Sequence, residues 1–285
     1  MQRVLLLGSA GLLGTALQGV FSSEFEVSAW DRPQIDVTKR EEVLQKIQNV
    51  KPDFIINVTA FNGVDQAEKD EGSFQLSEFV NGKAVGFIAE AGKILGVPVV
   101  HYSTEYVFDG SSKEGYTEDA KPNPLNRYGH TKALGERLLF ESNDRSYLVR
   151  LSRLFGAPGT AEGSKKSFVD LMVDAALAGR ELRLVDEEAS CPTYSLDLAK
   201  FTLNLITAES PFGIYHGANS GTSTWYSLAQ EVFKIKKLEA KVVPIKSADY
   251  VRPAKRPLFS ELINTKLPKQ RHWKEALEEY LSKKI

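Results

Sequence analysis

The chain has 285 residues, 42% of them hydrophobic and 26% charged, with 21 Gly and 12 Pro. This is a globular composition, which excludes disorder and collagen and supplies enough chain for one large or two small domains. Thirty-six basic residues against 37 acidic ones leave a net charge of −1, so no global field draws the protein to nucleic acid or an anionic membrane, and any anion site must be local.

The single cysteine, Cys191, excludes an internal disulfide and a cysteine-based zinc site. It reads as a buried, inert thiol. The apolar stretch within MQRVLLLGSAG is too short for a signal peptide or a membrane span, and a cytoplasmic location is expected.

In chain order, Val4 to Leu7 is a short unbroken apolar run ending in glycine, the pattern of a strand buried on both faces. Leu12, Leu13, Ala16, Leu17 and Val20 then fall at helical spacing, and Phe25 to Trp30 reads as a second strand ending at Asp31. A helix over Val43 to Val50, a strand over Phe54 to Val58, a helix over Val80 to Leu95 and a strand over Val99 to Tyr102 follow. This alternation predicts an α/β fold, a doubly wound parallel sheet wrapped by helices on both faces. Tyr128 to Phe140 is a further helix and Tyr147 to Leu151 a further strand.

The organisation changes at the glycine-rich stretch Gly156 to Ser164. Beyond it come helices over 168–178, 196–207 and 228–234 and strands over 181–185 and 213–216. The expected division is a dinucleotide-binding domain over 1–155 and a smaller α/β substrate lobe over 156–285, interleaved with the first. Phe54 to Ile56 and Val99 to Tyr102 read as core strands without a cofactor role.

Gly8-Ser9-Ala10-Gly11-Leu12-Leu13-Gly14 sets three glycines three residues apart, directly after a strand and at the start of a helix. Such a turn lets backbone approach a pyrophosphate, which sits against the unpaired N–H groups of the helix, while the third glycine permits close packing. Asp31 ends the second strand, where a carboxylate would hold the adenosine ribose and repel a 2′-phosphate; Arg32, next to it, would grip that phosphate. The choice between NADH and NADPH therefore stays open.

Tyr128 and Lys132 stand four apart on one helix and share a face, so the ammonium is expected to lower the phenol's pKa and to reach a cofactor ribose. Thr104, at the end of the preceding strand, would add a hydroxyl that polarises a carbonyl while Tyr128 hands over a proton. His101, His130, His216 and His272 show no ligand spacing and read as ordinary hydrogen-bonded histidines, so no metal site is expected. Arg252, Lys255 and Arg256 form a basic cluster that is either a grip on a diphosphate or a solvated loop.

The glycine turn, Asn57-Val58-Thr59-Ala60, Val64-Asp65-Gln66-Ala67-Glu68, STEYVFDG from Ser103 and YGHTKALGE from Tyr128 together resemble the extended short-chain dehydrogenase/reductases, specifically the dTDP-4-dehydrorhamnose reductases. The resemblance continues through Cys191-Pro192-Thr193, Asp197-Leu198-Ala199, Gly213-Ile214-Tyr215-His216, Asn219-Ser220-Gly221 with Trp225, and Arg256-Pro257. It implies NAD(P)H-dependent reduction of the C4 ketone of dTDP-4-dehydro-L-rhamnose. By position it makes Tyr128 the proton donor, Lys132 its partner and a ribose contact, and Thr104 the second hydroxyl on the carbonyl. It also implies that Gly11, Leu12 and Leu13 line the pyrophosphate, that Asp31 meets the adenosine ribose and Asp36 and Val37 the adenine, and that Ala60, Phe61 and Asn62 meet the rest of the cofactor.

Two departures stand out. Family members carry Thr-Asp where this chain has Thr104-Glu105, which sets the carboxylate one methylene further out on the substrate side. Their Arg-Thr-Ser-Trp segment reads Arg150-Leu151-Ser152-Arg153 here, so a tryptophan expected to stack on the substrate is an arginine, suited instead to a phosphate or a carboxylate on the sugar. Some relatives dimerise through magnesium held by glutamates, one in the first helix, where this chain has Thr15. The resemblance therefore allows a homodimer but carries over no metal. Two other readings remain: a nucleotide-sugar dehydratase or epimerase, with Glu105 as an acid or base, and a non-catalytic subunit resembling the β subunit of methionine adenosyltransferase.

Overall fold

The computed structural model describes residues 1–161 and 164–283, so residues 162 and 163 of the glycine-rich stretch lie outside the described residues. The first part of the chain runs β1 (Arg3–Leu7), α1 (Leu12–Phe21), β2 (Glu26–Trp30), α2 (Arg40–Val50), β3 (Phe54–Asn57), α3 (Val64–Lys69), α4 (Glu71–Glu78), a π-turn (Phe79–Lys83), α5 (Ala84–Leu95), β4 (Val99–Thr104), α6 (Arg127–Ser142) and β5 (Ser146–Leu151). The second runs β6 (Leu154–Phe155), α7 (Phe168–Leu177), β7 (Leu182–Val185), β8 (Ala189–Ser190), β9 (Thr193–Tyr194), α8 (Ser195–Thr207), β10 (Gly213–His216), α9 (Trp225–Lys236), β11 (Val242–Ile245), β12 (Phe259–Ser260) and α10 (Trp273–Ser282).

Six strands form one parallel sheet in the order β10-β5-β4-β3-β1-β2. Along β1 the side chains alternate between two cores. Val4 and Leu6 face α1 and α8 with Leu17, Phe21 and Leu198, whereas Leu5 and Leu7 face α2 and α5 with Val43, Ile47 and Ile88. Both faces are covered, which is why the strand reads as an unbroken apolar run. The chain reverses its direction of travel across the sheet between β1 and β3, and the crevice at their C-terminal ends is where open α/β sheets take ligands.

Past residue 155 the chain serves two bodies. The helix and strand expected over 196–207 and 213–216 return to the large sheet: the apolar face of α8 packs on α1, and β10 pairs with β5 from Tyr147 to Arg150. A separate core gathers α7, α9 and α10 around Trp273, Tyr280, Leu228 and Phe155. Three two-stranded parallel pairs, β7 with β11, β8 with β12 and β6 with β9, complete the second body. Among the described residues no helix is long and apolar enough to cross a membrane.

The helix expected over Val80 to Leu95 is the end of a longer helical run beginning at Glu71. The π-turn at Phe79–Lys83 adds a residue to the winding and breaks the 3.6-residue period, so the pattern before it does not align with the pattern after it.

Candidate active site

The site lies along the C-terminal edge of the sheet. Gly8 sits at φ +85°, and a Cβ on Gly14 would lie 2.2 Å from the Gly8 carbonyl oxygen, so neither position admits a side chain without moving backbone. Gly11 precedes α1 in extended conformation, with no side-chain cap and no acidic residue in the first turn. The first N–H groups of the helix, from Leu12 and Leu13, are thus left for an anion. Asp31 braces this turn: one carboxylate oxygen accepts the Ala10 N–H at 2.8 Å and the other the Arg32 N–H at 3.0 Å. The Arg32 side chain is exposed. The uncapped helix end and the glycine turn fit a dinucleotide pyrophosphate. The loop after β6 lies across the turn, with Ala161 N–H donating to the Ala10 carbonyl at 3.1 Å.

Asp36 accepts from the Thr38 hydroxyl and N–H, which hold its carboxyl below the usual range despite partial burial. Val37 packs against the α2 side of the core. On the other side of the crevice, Ala60, Phe61 and Asn62 follow β3, and buried Asn81 clamps the Phe61 backbone from both sides. Its Oδ1 accepts the Phe61 N–H at 2.8 Å and its Nδ2 donates to the Phe61 carbonyl at 3.0 Å. Asn81 stands in the π-turn, so the irregular winding aims this clamp. Sequence patterning gave no signal for it.

Thr104 closes β4, and α6 brings Tyr128 and Lys132 beside it. The helix is capped by Asn126, whose side chain accepts the Gly129 N–H at 2.8 Å. Gly129 allows the approach, because a Cβ there would sit 2.3 Å from the Tyr106 carbonyl oxygen. All three residues are buried. Burial pushes the Tyr128 phenol above its ordinary value, Glu105 and Tyr106 push it the same way, and a hydrogen bond with Thr104 opposes them. Lys132 is brought down to about 8 by burial, with Glu136 pulling upward. Its ammonium contacts run to the Tyr102 carbonyl at 2.6 Å and to His101 Nε2 at 3.2 Å. The shared helical face is present, but the main influences on the phenol are burial and Glu105, and they raise its pKa.

Glu105 is 6% exposed and receives the Thr104 hydroxyl proton at 2.7 Å. Burial drives its carboxyl up to about 7 against the pull of Thr104 and Arg153. Arg153, held at φ +42°, stacks its guanidinium 4.1 Å from the centre of the Trp225 ring and donates to the Ser223 carbonyl at 2.7 Å and to the Glu188 carbonyl. The tryptophan missing beside Ser152 thus has an aromatic counterpart, supplied by α9 and covered by the arginine. Arg256 is paired bidentately with Asp65 at 2.7 and 2.8 Å, and Arg252 is paired with Glu188. The two arginines of the basic cluster therefore carry counter-charges, whereas Lys255 is exposed. Cys191 is buried, which pushes its thiol up to about 12. Among the described residues no group of His, Cys, Asp and Glu could hold a metal ion.

Comparison with known proteins is consistent along the chain. A family model described as the RmlD substrate binding domain matches residues 1–285. The chain is 35% identical to the dTDP-4-dehydrorhamnose reductase of Aggregatibacter actinomycetemcomitans, covering 94% of this chain and 92% of that protein. It is 32% identical to the spore coat polysaccharide biosynthesis protein SpsK of Bacillus subtilis, over 100% of this chain and 98% of the relative. The crystal structure of dTDP-4-dehydrorhamnose reductase from Bacillus anthracis in complex with NADP superposes with a TM-score of 0.93 at 30% identity, covering 99% of both chains.

Proposed function

The chain belongs to the RmlD substrate binding domain family, and from that premise we propose that it is an NAD(P)H-dependent oxidoreductase. It reduces the C4 ketone of a nucleotide-linked deoxysugar, dTDP-4-dehydro-L-rhamnose to dTDP-L-rhamnose. The observation that carries this reading is the meeting of Thr104, Tyr128 and Lys132, all buried, at the C-terminal end of β4. The match with the NADP-bound Bacillus anthracis enzyme supports the cofactor class.

A bound nicotinamide dinucleotide supplies the hydride. The turn from Gly8 to Gly14 would take its pyrophosphate, Asp31, Arg32, Asp36 and Val37 its adenosine half, and Ala60, Phe61 and Asn62 its remaining length. Tyr128 gives its phenolic proton to the carbonyl oxygen as that oxygen gains negative charge. Its raised pKa suits an acid that keeps its proton until a strong base appears. Lys132 has committed two of its three N–H donors, to Tyr102 and His101, and the third is left for the ribose and the phenol. Thr104 orients the carbonyl, and Glu105, Arg153 and Arg256 stand on the substrate side. The lobe of α7, α9 and α10 closes over the nucleotide sugar. We place the reaction in the cytoplasm.

Purified protein mixed with dTDP-4-dehydro-L-rhamnose should consume NADPH or NADH. Tyr128→Phe should lose on the order of 100-fold or more in kcat while cofactor affinity stays within about threefold. Cofactor binding without consumption would overturn the reading. Sugar turnover without net change in nicotinamide absorbance would replace it with the dehydratase or epimerase reading, to which the buried carboxyl of Glu105 would then contribute the acid.

A further inference from the structure

The Lys132 ammonium rests on His101 Nε2 at 3.2 Å, and His101, 1% exposed, turns its other ring nitrogen to β3. There Nδ1 lies 3.2 Å from the Asn57 carbonyl oxygen and 3.1 Å from Asn57 Nδ2. One ring nitrogen therefore meets an acceptor and a donor of the same residue, while the other meets an amine that exists in charged and neutral forms.

Counting protons separates two arrangements. An ammonium offers only donors, so Nε2 must accept and the ring proton sits on Nδ1, donated to the Asn57 carbonyl. A neutral amine offers a lone pair, so Nε2–H donates to it and Nδ1 accepts from Asn57 Nδ2. The ring carries one proton in both, and the pair differs by the single proton that the amine has released. Both arrangements leave the buried imidazole with both nitrogens satisfied. An imidazolium beside a neutral amine would meet the same acceptors, the amine lone pair and the Asn57 carbonyl, but burial together with the Lys132 charge holds His101 well below its ordinary value and disfavours it.

We propose that His101 is the positioning residue of Lys132, an imidazole whose tautomer follows the protonation state of the amine, so that the amine keeps one location in the site with or without its proton. The proposal rests on the reading of Lys132 as the partner of Tyr128, although the geometry behind it involves neither substrate nor cofactor. The groups bearing on the pair are Lys132 on α6, Asn57 on β3 and, one turn along α6, Glu136, which is itself held by Arg150 at 2.7 and 3.0 Å. Because Lys132 is brought down to about 8, both forms lie within reach of a pH titration.

The test uses the full chain labelled with ¹⁵N-histidine, without cofactor, and follows ring tautomers by long-range ¹H–¹⁵N correlation. The His101 signal is assigned by its loss in His101→Asn. It should be the Nδ1–H form near pH 6 and shift toward Nε2–H by roughly tenfold in ratio on reaching about pH 9.5, as the amine loses its proton. In Lys132→Met the His101 tautomer should ignore pH. A wild-type tautomer constant over this range, or a change that persists in Lys132→Met, overturns the proposal. In kinetics, His101→Leu removes an acceptor from the ammonium, so the pH limb of kcat that reports Lys132 should move down by about one unit with substrate KM nearly unchanged. An unmoved limb would make His101 a space-filling residue. A protein inactive on nucleotide sugars would sink the reductase reading, and the tautomer titration would still decide this one.

Discussion

Thr104 donates its single hydroxyl proton to Glu105 Oε2 at 2.7 Å, so while Glu105 is charged that proton is not available to a substrate carbonyl. When Glu105 is protonated, its own O–H can donate to Thr104, and the threonine proton is released toward the site. Burial sets this exchange at about 7.

The first prediction follows from that value. kcat/KM should fall as pH rises through about 7, and Glu105→Gln should flatten this limb. Stability moves the same way. The folded carboxyl keeps a proton that the unfolded one, at its ordinary 4.5, has released, so unfolding free energy declines as pH rises from about 4.5 to about 7. Urea unfolding of wild type and Glu105→Gln at both ends of the window checks it; identical slopes would show that Glu105 is not the group titrating.

Arg153 lowers the Glu105 carboxyl and hydrogen-bonds two carbonyls across the second body. Arg153→Ala should cost about 2 kcal/mol by removing the donor to the buried Glu188 carbonyl, while the Ser223 carbonyl keeps the Ser190 N–H. It should also move the Glu105 limb to higher pH. Loss of stability without movement of the limb would reduce Arg153 to a strut.

Two glycines of α1 make a controlled pair. Gly14→Ala drives a Cβ against the Gly8 and Ser9 backbone, and dinucleotide binding measured by calorimetry should weaken at least tenfold, alongside a lower melting temperature. At Gly19 an added Cβ meets nothing within 4 Å, so Gly19→Ala should stabilise by about 0.5–1 kcal/mol with binding unchanged. Equal effects at the two sites would mean that the turn geometry is not what matters.

Arg32 is exposed beside Asp31, for which we propose an adenosine-ribose contact. Arg32→Ala should raise KM for NADPH by about tenfold while leaving NADH within about twofold, because only the former carries a 2′-phosphate for the guanidinium. Parallel losses for both reductants would assign Arg32 to the turn alone.

Sequence periodicity reaches a definite depth here. The strands from Arg3 to Leu151 and the longer helices between them are legible because each carries an apolar pattern long enough to show its period, whereas the six-residue helix Val64–Lys69 is too short to show one. The two-residue strands, such as Leu154–Phe155 and Thr193–Tyr194, are too short to have one. Gly213–His216 is legible as a strand but not as a neighbour of Tyr147–Arg150, since strand pairing joins segments over sixty residues apart. Glu71–Glu78 escapes notice because only Ser77 in it is buried and the π-turn after it breaks the helical register.

The amino-acid sequence by itself determined the parallel α/β class, the glycine turn between Gly8 and Gly14, and the candidacy of Thr104, Tyr128 and Lys132. Each of these follows from residue type and local spacing. Only the tertiary structure decided that Lys132 rests on His101, that Asn81 clamps Phe61, that Arg256 answers Asp65, and that Arg153 lies on Trp225. Buried polar and charged groups must find partners, and those partners come from whichever elements pack alongside, which no spacing along one segment specifies.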